Sequence, residues 1–153
     1  MMSVKALYQD LILDHSSNPK NNKKLGFFNR NAEVHNPLCG DKTHVFIKLS
    51  ENNIIEEISF MGEGCAICIA SNSIMTEVLK QKSEKSAFLL INSFNKFIEK
   101  GDESALSSII ESERTKLSSF ISVAKFPMRM KCVTLPWIAA ESALHNKLKK
   151  INA

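Results

Sequence analysis

The hydrophobic period of this chain changes twice, and the order of those changes restricts its fold more than any other feature. Val4, Leu7, Tyr8, Leu11 and Ile12 fall on one helical stripe behind Ser3, a natural N-cap, and Asn18-Pro19 ends that helix at about Ser17. The Asn- and Lys-rich stretch from Pro19 to Asn31 reads as an irregular connection. The period then drops to two: Thr43, Val45, Ile47 and Leu49 alternate with polar or mixed partners, Glu51-Asn52-Asn53 supplies a turn, and Ile54 to Phe60 returns with Ile54, Ile58 and Phe60 on one face. A short strand over Glu33 to Asn36 is expected beside this hairpin. Gly62-Glu63-Gly64 breaks the strand, and the helical period then returns. One helix is expected from Ala66 to about Lys82, with Ile67, Ile74 and Val78 in register. A second runs from about Ser86 to Lys100 with Gly101 as C-cap, and a short third carries Ala105, Leu106, Ile109 and Ile110. Lys116 to Lys125 gives no clear pattern, and a last helix is expected over Pro136 to Lys150. Strands gathered between helices predict a small antiparallel sheet of about three strands packed against helices, the α+β class.

The 153 residues are one domain's worth of sequence, so 1–153 is expected to be a single domain. A chain of this length buries roughly 68–70% of its unfolded surface, enough for a core without disulfide staples. The formal charge of +4 comes from scattered lysines, and the densest run, Lys147, Lys149 and Lys150, suits the negative end of a helix. No basic stripe interleaved with aromatics is present, so nucleic acid is not an expected partner. No stretch approaches the ~18 consecutive apolar residues of a membrane span. Residues 1–14 also lack the apolar run of a signal peptide, and a cytoplasmic location is expected.

Cysteine placement carries the chemistry. The chain has Cys39, Cys65, Cys68 and Cys132, and four thiols in a cytoplasmic setting are seldom a disulfide framework. Cys39 follows Pro37 and precedes a strand, Cys65 follows the glycine break and precedes a helix, and Cys132 lies just before the expected last helix. Structural cysteines usually sit inside apolar stripes, whereas these three mark element edges, where a helix N-terminus favours a thiolate. Three thiolates and the Asp41 carboxylate match the ligand types and number of a tetrahedral zinc site. On spacing alone, a shared metal site and unrelated thiols both remain open.

Three segments decide further. Asn36-Pro37-Leu38-Cys39-Gly40-Asp41, Gly62-Glu63-Gly64-Cys65-Ala66-Ile67-Cys68-Ile69-Ala70-Ser71 and Lys131-Cys132-Val133-Thr134-Leu135-Pro136-Trp137 resemble, in order, the three cysteine motifs of the NifU/IscU-like scaffold superfamily of iron–sulfur cluster assembly. Leu7-Tyr8, Asp14-His15 and Asn18-Pro19 are similar to that family's opening. Lys131 stands where the IscU branch has a histidine, Phe126-Pro127-Met128-Arg129 replaces that branch's chaperone motif, and the Cys65–Cys132 interval is longer, through an insertion within about Lys100 to Lys125. These features resemble the SufU branch. The resemblance implies a zinc-dependent sulfurtransferase that accepts persulfide sulfur from a PLP-dependent cysteine desulfurase of the SUF type and serves downstream iron–sulfur assembly proteins. It implies Cys39, Asp41, Cys65 and Cys132 as zinc ligands, Cys39 as persulfide acceptor, Arg129 as a supporting residue, and a desulfurase histidine that displaces Cys39 from the metal. Two alternatives are a scaffold that assembles and transfers a [2Fe–2S] cluster, or iron, on the same ligands, and a binding module that zinc merely stabilises.

Cys68 departs from the pattern, since SufU-like sequences usually place a small hydroxyl residue there. Cys65-Ala66-Ile67-Cys68 thereby imitates a redox motif, but Cys68 is read as a buried small hydrophobe, with a fourth soft ligand or a resolving thiol as alternatives. His15, His35, His44 and His145 fall outside the cysteine motifs and are read as structural or surface residues.

Overall fold

The computed structural model describes residues 3–38 and 40–146. The element order is α1 (Val4–Ser17), β1 (Arg30–His35), β2 (Lys42–Leu49), β3 (Ile55–Glu63), α2 (Ala66–Leu79), α3 (Glu84–Lys100), α4 (Glu111–Ser118) and α5 (Pro127–His145), with 3₁₀ turns at Glu103–Leu106 and Ile121–Lys125. The three strands form one antiparallel sheet in the order β1-β2-β3, as the period pattern predicts. Val45, Ile47 and Leu49 of β2 pair with Phe60, Ile58 and Ile55 of β3, and this buried face meets α2 and α5. On the other face His44 stacks on Phe46 at 4.2 Å, and Phe28 meets the Phe46 ring edge-on.

The register corrects one expectation. Ile54 was expected on the core face, but Lys48 pairs with Glu57 and Leu49 with Ile55, so Glu56 is an extra residue. That bulge reverses the alternation and buries Ile55 instead, while Ile54 is only half-buried. The strand also continues through Gly62 and Glu63, ending at Gly64 rather than at Gly62. Gly62 pairs with Thr43, where a Cβ would lie 3.0 Å from the Lys42 carbonyl oxygen, so glycine here permits a close strand approach.

Helix α2 is buried along nearly its whole length and forms the centre of the molecule. Helix α3 behaves as expected at its end, with Gly101 in the left-handed C-cap at φ 65°, although it starts earlier, behind Ser83, whose hydroxyl accepts the Ser86 N–H. Ile109 and Ile110 lie outside the 3₁₀ turn that replaces the expected short helix, and Ile110 instead occupies the N-cap of α4.

The largest correction concerns the last helix. It begins at Pro127 rather than at Pro136, so Cys132 lies inside α5 rather than before it. Two prolines competed for the first-turn position, and Pro127 holds it, with its missing N–H costing no intrahelical bond. Pro136 is interior and withholds the N–H that would have met the Cys132 carbonyl. The following turn is braced from outside: the Trp137 Nε1–H donates to Ser71 Oγ at 3.0 Å, and the Ser71 hydroxyl donates to the Val133 carbonyl at 2.5 Å. Lys147, Lys149 and Lys150, placed by the sequence at the end of this helix, lie outside the described residues. No helix among the described residues is long and apolar enough to cross a membrane.

Candidate metal centre

Asp41, Cys65 and Cys132 converge from three different elements. Asp41 precedes β2, Cys65 is the N-cap of α2, and Cys132 lies in the second turn of α5. One carboxylate oxygen and the two sulfurs all lie within 4.8 Å of one another. Asp41 is 3% exposed and Cys132 6%, while Cys65 is half-buried. Asp41 Oδ1 accepts the Cys65 backbone N–H at 3.3 Å, which draws the carboxylate onto the start of α2, and its Oδ2 lies 4.0 Å from the Cys65 sulfur.

The loop joining β1 to β2 is tied by Asn36. Its side-chain oxygen accepts the Leu38 N–H, its carbonyl accepts the Gly40 N–H, and its own N–H donates to the Asp41 carbonyl at 2.8 Å. Gly40 sits at φ 78°, a left-handed conformation that glycine adopts without strain. Cys39, predicted as ligand and acceptor, lies outside the described residues. The structure brings the other three predicted ligands together, and a cavity of about 410 Å³ opens onto them, lined also by Gly40, Gly64, Met128 and Arg129. Arg129 is thus on the cavity wall, with its side chain exposed.

Strand-breaking did not reveal what Gly64 does. A Cβ on Gly64 would lie 2.6 Å from Asp41 Oδ1 and 2.9 Å from its carboxyl carbon. The bare backbone is what lets the carboxylate lie beside Cys65, and the only sequence signal is the position of this glycine directly before the cysteine.

The donor set fits a cation. Burial first, then the neighbouring Asp41 carboxyl and Cys65 thiol, push the Cys132 thiol far above its ordinary range. Among the described residues Asp41 forms no ion pair. Three acidic groups packed this way repel one another as anions, and a divalent ion bound between them reverses that penalty.

Other titratable groups lie elsewhere. His15 is buried with Nδ1 2.7 Å from Ser73 Oγ, His44 contacts Asn31 at 2.9 Å, His145 stacks on Phe88 and His35 is exposed; none joins the cluster. Cys68 is fully buried, in the role of a small core residue, packed in one group with Cys132 and Leu135 against which Cys65 also rests.

A small α+β fold here gathers two thiols and one buried carboxylate at a helix N-terminus, a donor set that could hold a metal ion. The chain belongs to the family of the NifU-like N-terminal domain, which it matches over residues 7–152. It is 34% identical to the zinc-dependent sulfurtransferase SufU of Bacillus subtilis (strain 168), across 93% of this chain and 92% of that protein. It is 35% identical to the iron–sulfur cluster assembly scaffold protein IscU of Streptococcus pyogenes serotype M1, across 90% of this chain and 82% of that one. A crystal structure of an iron–sulfur cluster assembly scaffold protein for the SUF system, from Fervidobacterium islandicum AW-1, superimposes with a TM-score of 0.75 at 29% identity, covering 88% of this chain and 94% of that one.

Proposed function

We propose that this protein is a zinc-dependent sulfur acceptor in iron–sulfur cluster assembly, loaded by a PLP-dependent cysteine desulfurase of the SUF type and serving downstream assembly proteins. The observation that carries this reading is the convergence of Asp41, Cys65 and Cys132 beside the loop that bears Cys39. Those four residues are the proposed zinc ligands. Zinc, when bound, keeps its thiolate ligands deprotonated and in place. The aspartate makes the set less closed than four thiolates, which suits a site that must give up one cysteine.

Cys39 is the proposed acceptor. Its thiolate attacks the outer sulfur of the desulfurase's cysteine persulfide; the new S–S bond forms on Cys39 as the old one breaks, and the electron pair leaves with the desulfurase thiolate. Gly40 supports this role by giving the loop a backbone conformation that side chains resist. Arg129, on the cavity wall, is the proposed donor of hydrogen bonds to the sulfur anion. Lys131 is exposed beside Cys132, so that position offers no imidazole ligand, which favours the zinc reading. A second reading, assembly of a [2Fe–2S] cluster on the same thiolates, is favoured by the likeness to the streptococcal scaffold protein.

Cys39→Ala tests the proposal. It should abolish stimulation of a SUF-type desulfurase while leaving thermal unfolding of the metal-free protein nearly unchanged. Stimulation retained by the variant would remove Cys39 from the transfer step.

A further inference from the structure

Cys68 has no part in the proposed sulfur transfer, yet its placement is chemically specific. Cys65 is the N-cap of α2 and Cys68 is the third residue of that helix. N-cap and N3 are the two positions whose side chains reach one another across a helix's first turn, the spacing a capping box exploits. Cys-x-x-Cys at a helix start is also the arrangement of thiol–disulfide motifs. Cys68 and Cys132 belong to one packed group, against which Cys65 rests. The two differ in access. Cys65 is half-buried on the wall of the cavity, whereas Cys68 is fully buried behind it. The Cys65 side chain caps no backbone N–H, so a new bond to Cys68 displaces no helix cap.

We propose that Cys65 and Cys68 form a reversible disulfide that withdraws Cys65 from the metal cluster, making the centre sensitive to peroxide. The output rests on the reading of Cys65 as a ligand, whereas the thiol pair itself does not. Hydrogen peroxide enters the cavity and oxidises the Cys65 thiol to a sulfenic acid, releasing one water. The Cys68 sulfur attacks that sulfur, the S–O bond breaks, an S–S bond forms and a second water leaves. Two thiols are oxidised and one peroxide is reduced to two waters. A buried partner suits the second step, because it is shielded from peroxide itself and stands one turn from the sulfenic acid. A thiol reductant restores both residues by exchange. Cys132 is the competitor: its sulfur lies within 4.8 Å of the Cys65 sulfur, but it comes from another helix and also lies 3.7 Å from the Met128 carbonyl.

Peptide mapping separates the outcomes. Trypsin leaves Cys65 and Cys68 on a single peptide, 49–80, while Cys39 falls in 31–42 and Cys132 in 132–147. Full-length protein as purified is treated with hydrogen peroxide, alkylated, digested and weighed, with released zinc read in parallel by a chromogenic chelator. The expected result is peptide 49–80 two hydrogens lighter and unalkylated, metal release in step with it, and recovery of both after dithiothreitol. Peptide 49–80 cross-linked to 132–147 or 31–42, or carrying a sulfinic acid beside an alkylated Cys68, overturns the pairing. Cys68→Ser should retain its metal as purified and then lose it irreversibly to peroxide; loss of metal before oxidation would make Cys68 a ligand and overturn the switch. If the internal disulfide forms in protein that never held metal, the metal reading and the release fail together, while the pairing stands.

Discussion

Helix α2 carries buried polar groups at both its start and its middle, and the two regions solve the problem of burial in opposite ways. In the middle, Ser71, Ser73 and Thr76 each have hydrogen-bond partners. Ser71 bridges Trp137 and the Val133 carbonyl, Ser73 accepts the Lys20 N–H and faces His15, and Thr76 accepts from the Asn21 side chain and donates to the Ser73 carbonyl. At the start, Cys65 meets Asp41 and Cys132, and burial first, then the neighbouring Asp41 and Cys65, push the Cys132 thiol's pKa upward. The middle holds α1 and α5 in place through these bonds, although the Asn72 side-chain oxygen there is buried without a hydrogen-bond partner among the described residues. The start gathers a donor set that could hold a cation. A hydrogen-bonded buried network points to structure, whereas crowded acidic groups with a perturbed thiol point to a candidate binding site.

That contrast predicts different failures for the two regions. Trp137→Ala, in the hydrogen-bonded region, should cost about 3–5 kcal/mol of metal-free stability, because the side chain is fully buried against Phe94 and anchors the turn after Pro136. Urea unfolding measures it, and a loss under ~1 kcal/mol would contradict the bracing role given to that turn. Gly64→Ala, at the candidate site, should weaken metal binding by roughly 10–100-fold, the usual scale for disturbing a ligand's support. Its methyl group must displace the Asp41 carboxylate, and competition with a chromogenic chelator reads the change. Unchanged affinity would show that Asp41 is not held for the metal.

These two substitutions also show what the sequence reveals and what it hides. Period counting finds the sheet, the central helices and the Gly101 cap, because each depends on residues near in sequence. The cysteine motifs name Asp41, Cys65 and Cys132, but not that α5 begins at Pro127 and carries Cys132 within it. Two prolines obey the same local rule, and only packing of Trp137 against Ser71 and Phe94 chooses between them. The Glu56 bulge and the contact between Gly64 and Asp41 are likewise cross-chain geometry. Glycine before cysteine reads locally as a break, whereas its use is the empty space it leaves for a carboxylate twenty-odd residues away.

Smaller effects sharpen the comparison. Ser71→Ala leaves the buried Trp137 indole N–H without its acceptor and should cost about 1–3 kcal/mol, with metal affinity nearly unchanged. The smallest effect is a pH dependence. Burial lowers the pKa of His15 from 6.5, with Glu77 opposing, and burial lowers that of His44, with Glu33 opposing. Both groups therefore bind protons more readily when unfolded, so stability is full above pH 6.5 and falls as pH drops below it toward the folded pKa values. His15→Gln should flatten part of that slope in metal-free protein followed by denaturant titration, and an unaltered slope would remove His15 from the effect.

The most direct test of the central claim is the metal and acid-labile sulfide content of protein purified without air, alongside Asp41→Ala and Cys65→Ser. One zinc per chain, no sulfide, and loss or marked weakening of zinc in both variants is the predicted result. Iron with matching sulfide would turn the centre into a cluster scaffold, and zinc bound equally well by both variants would contradict the account.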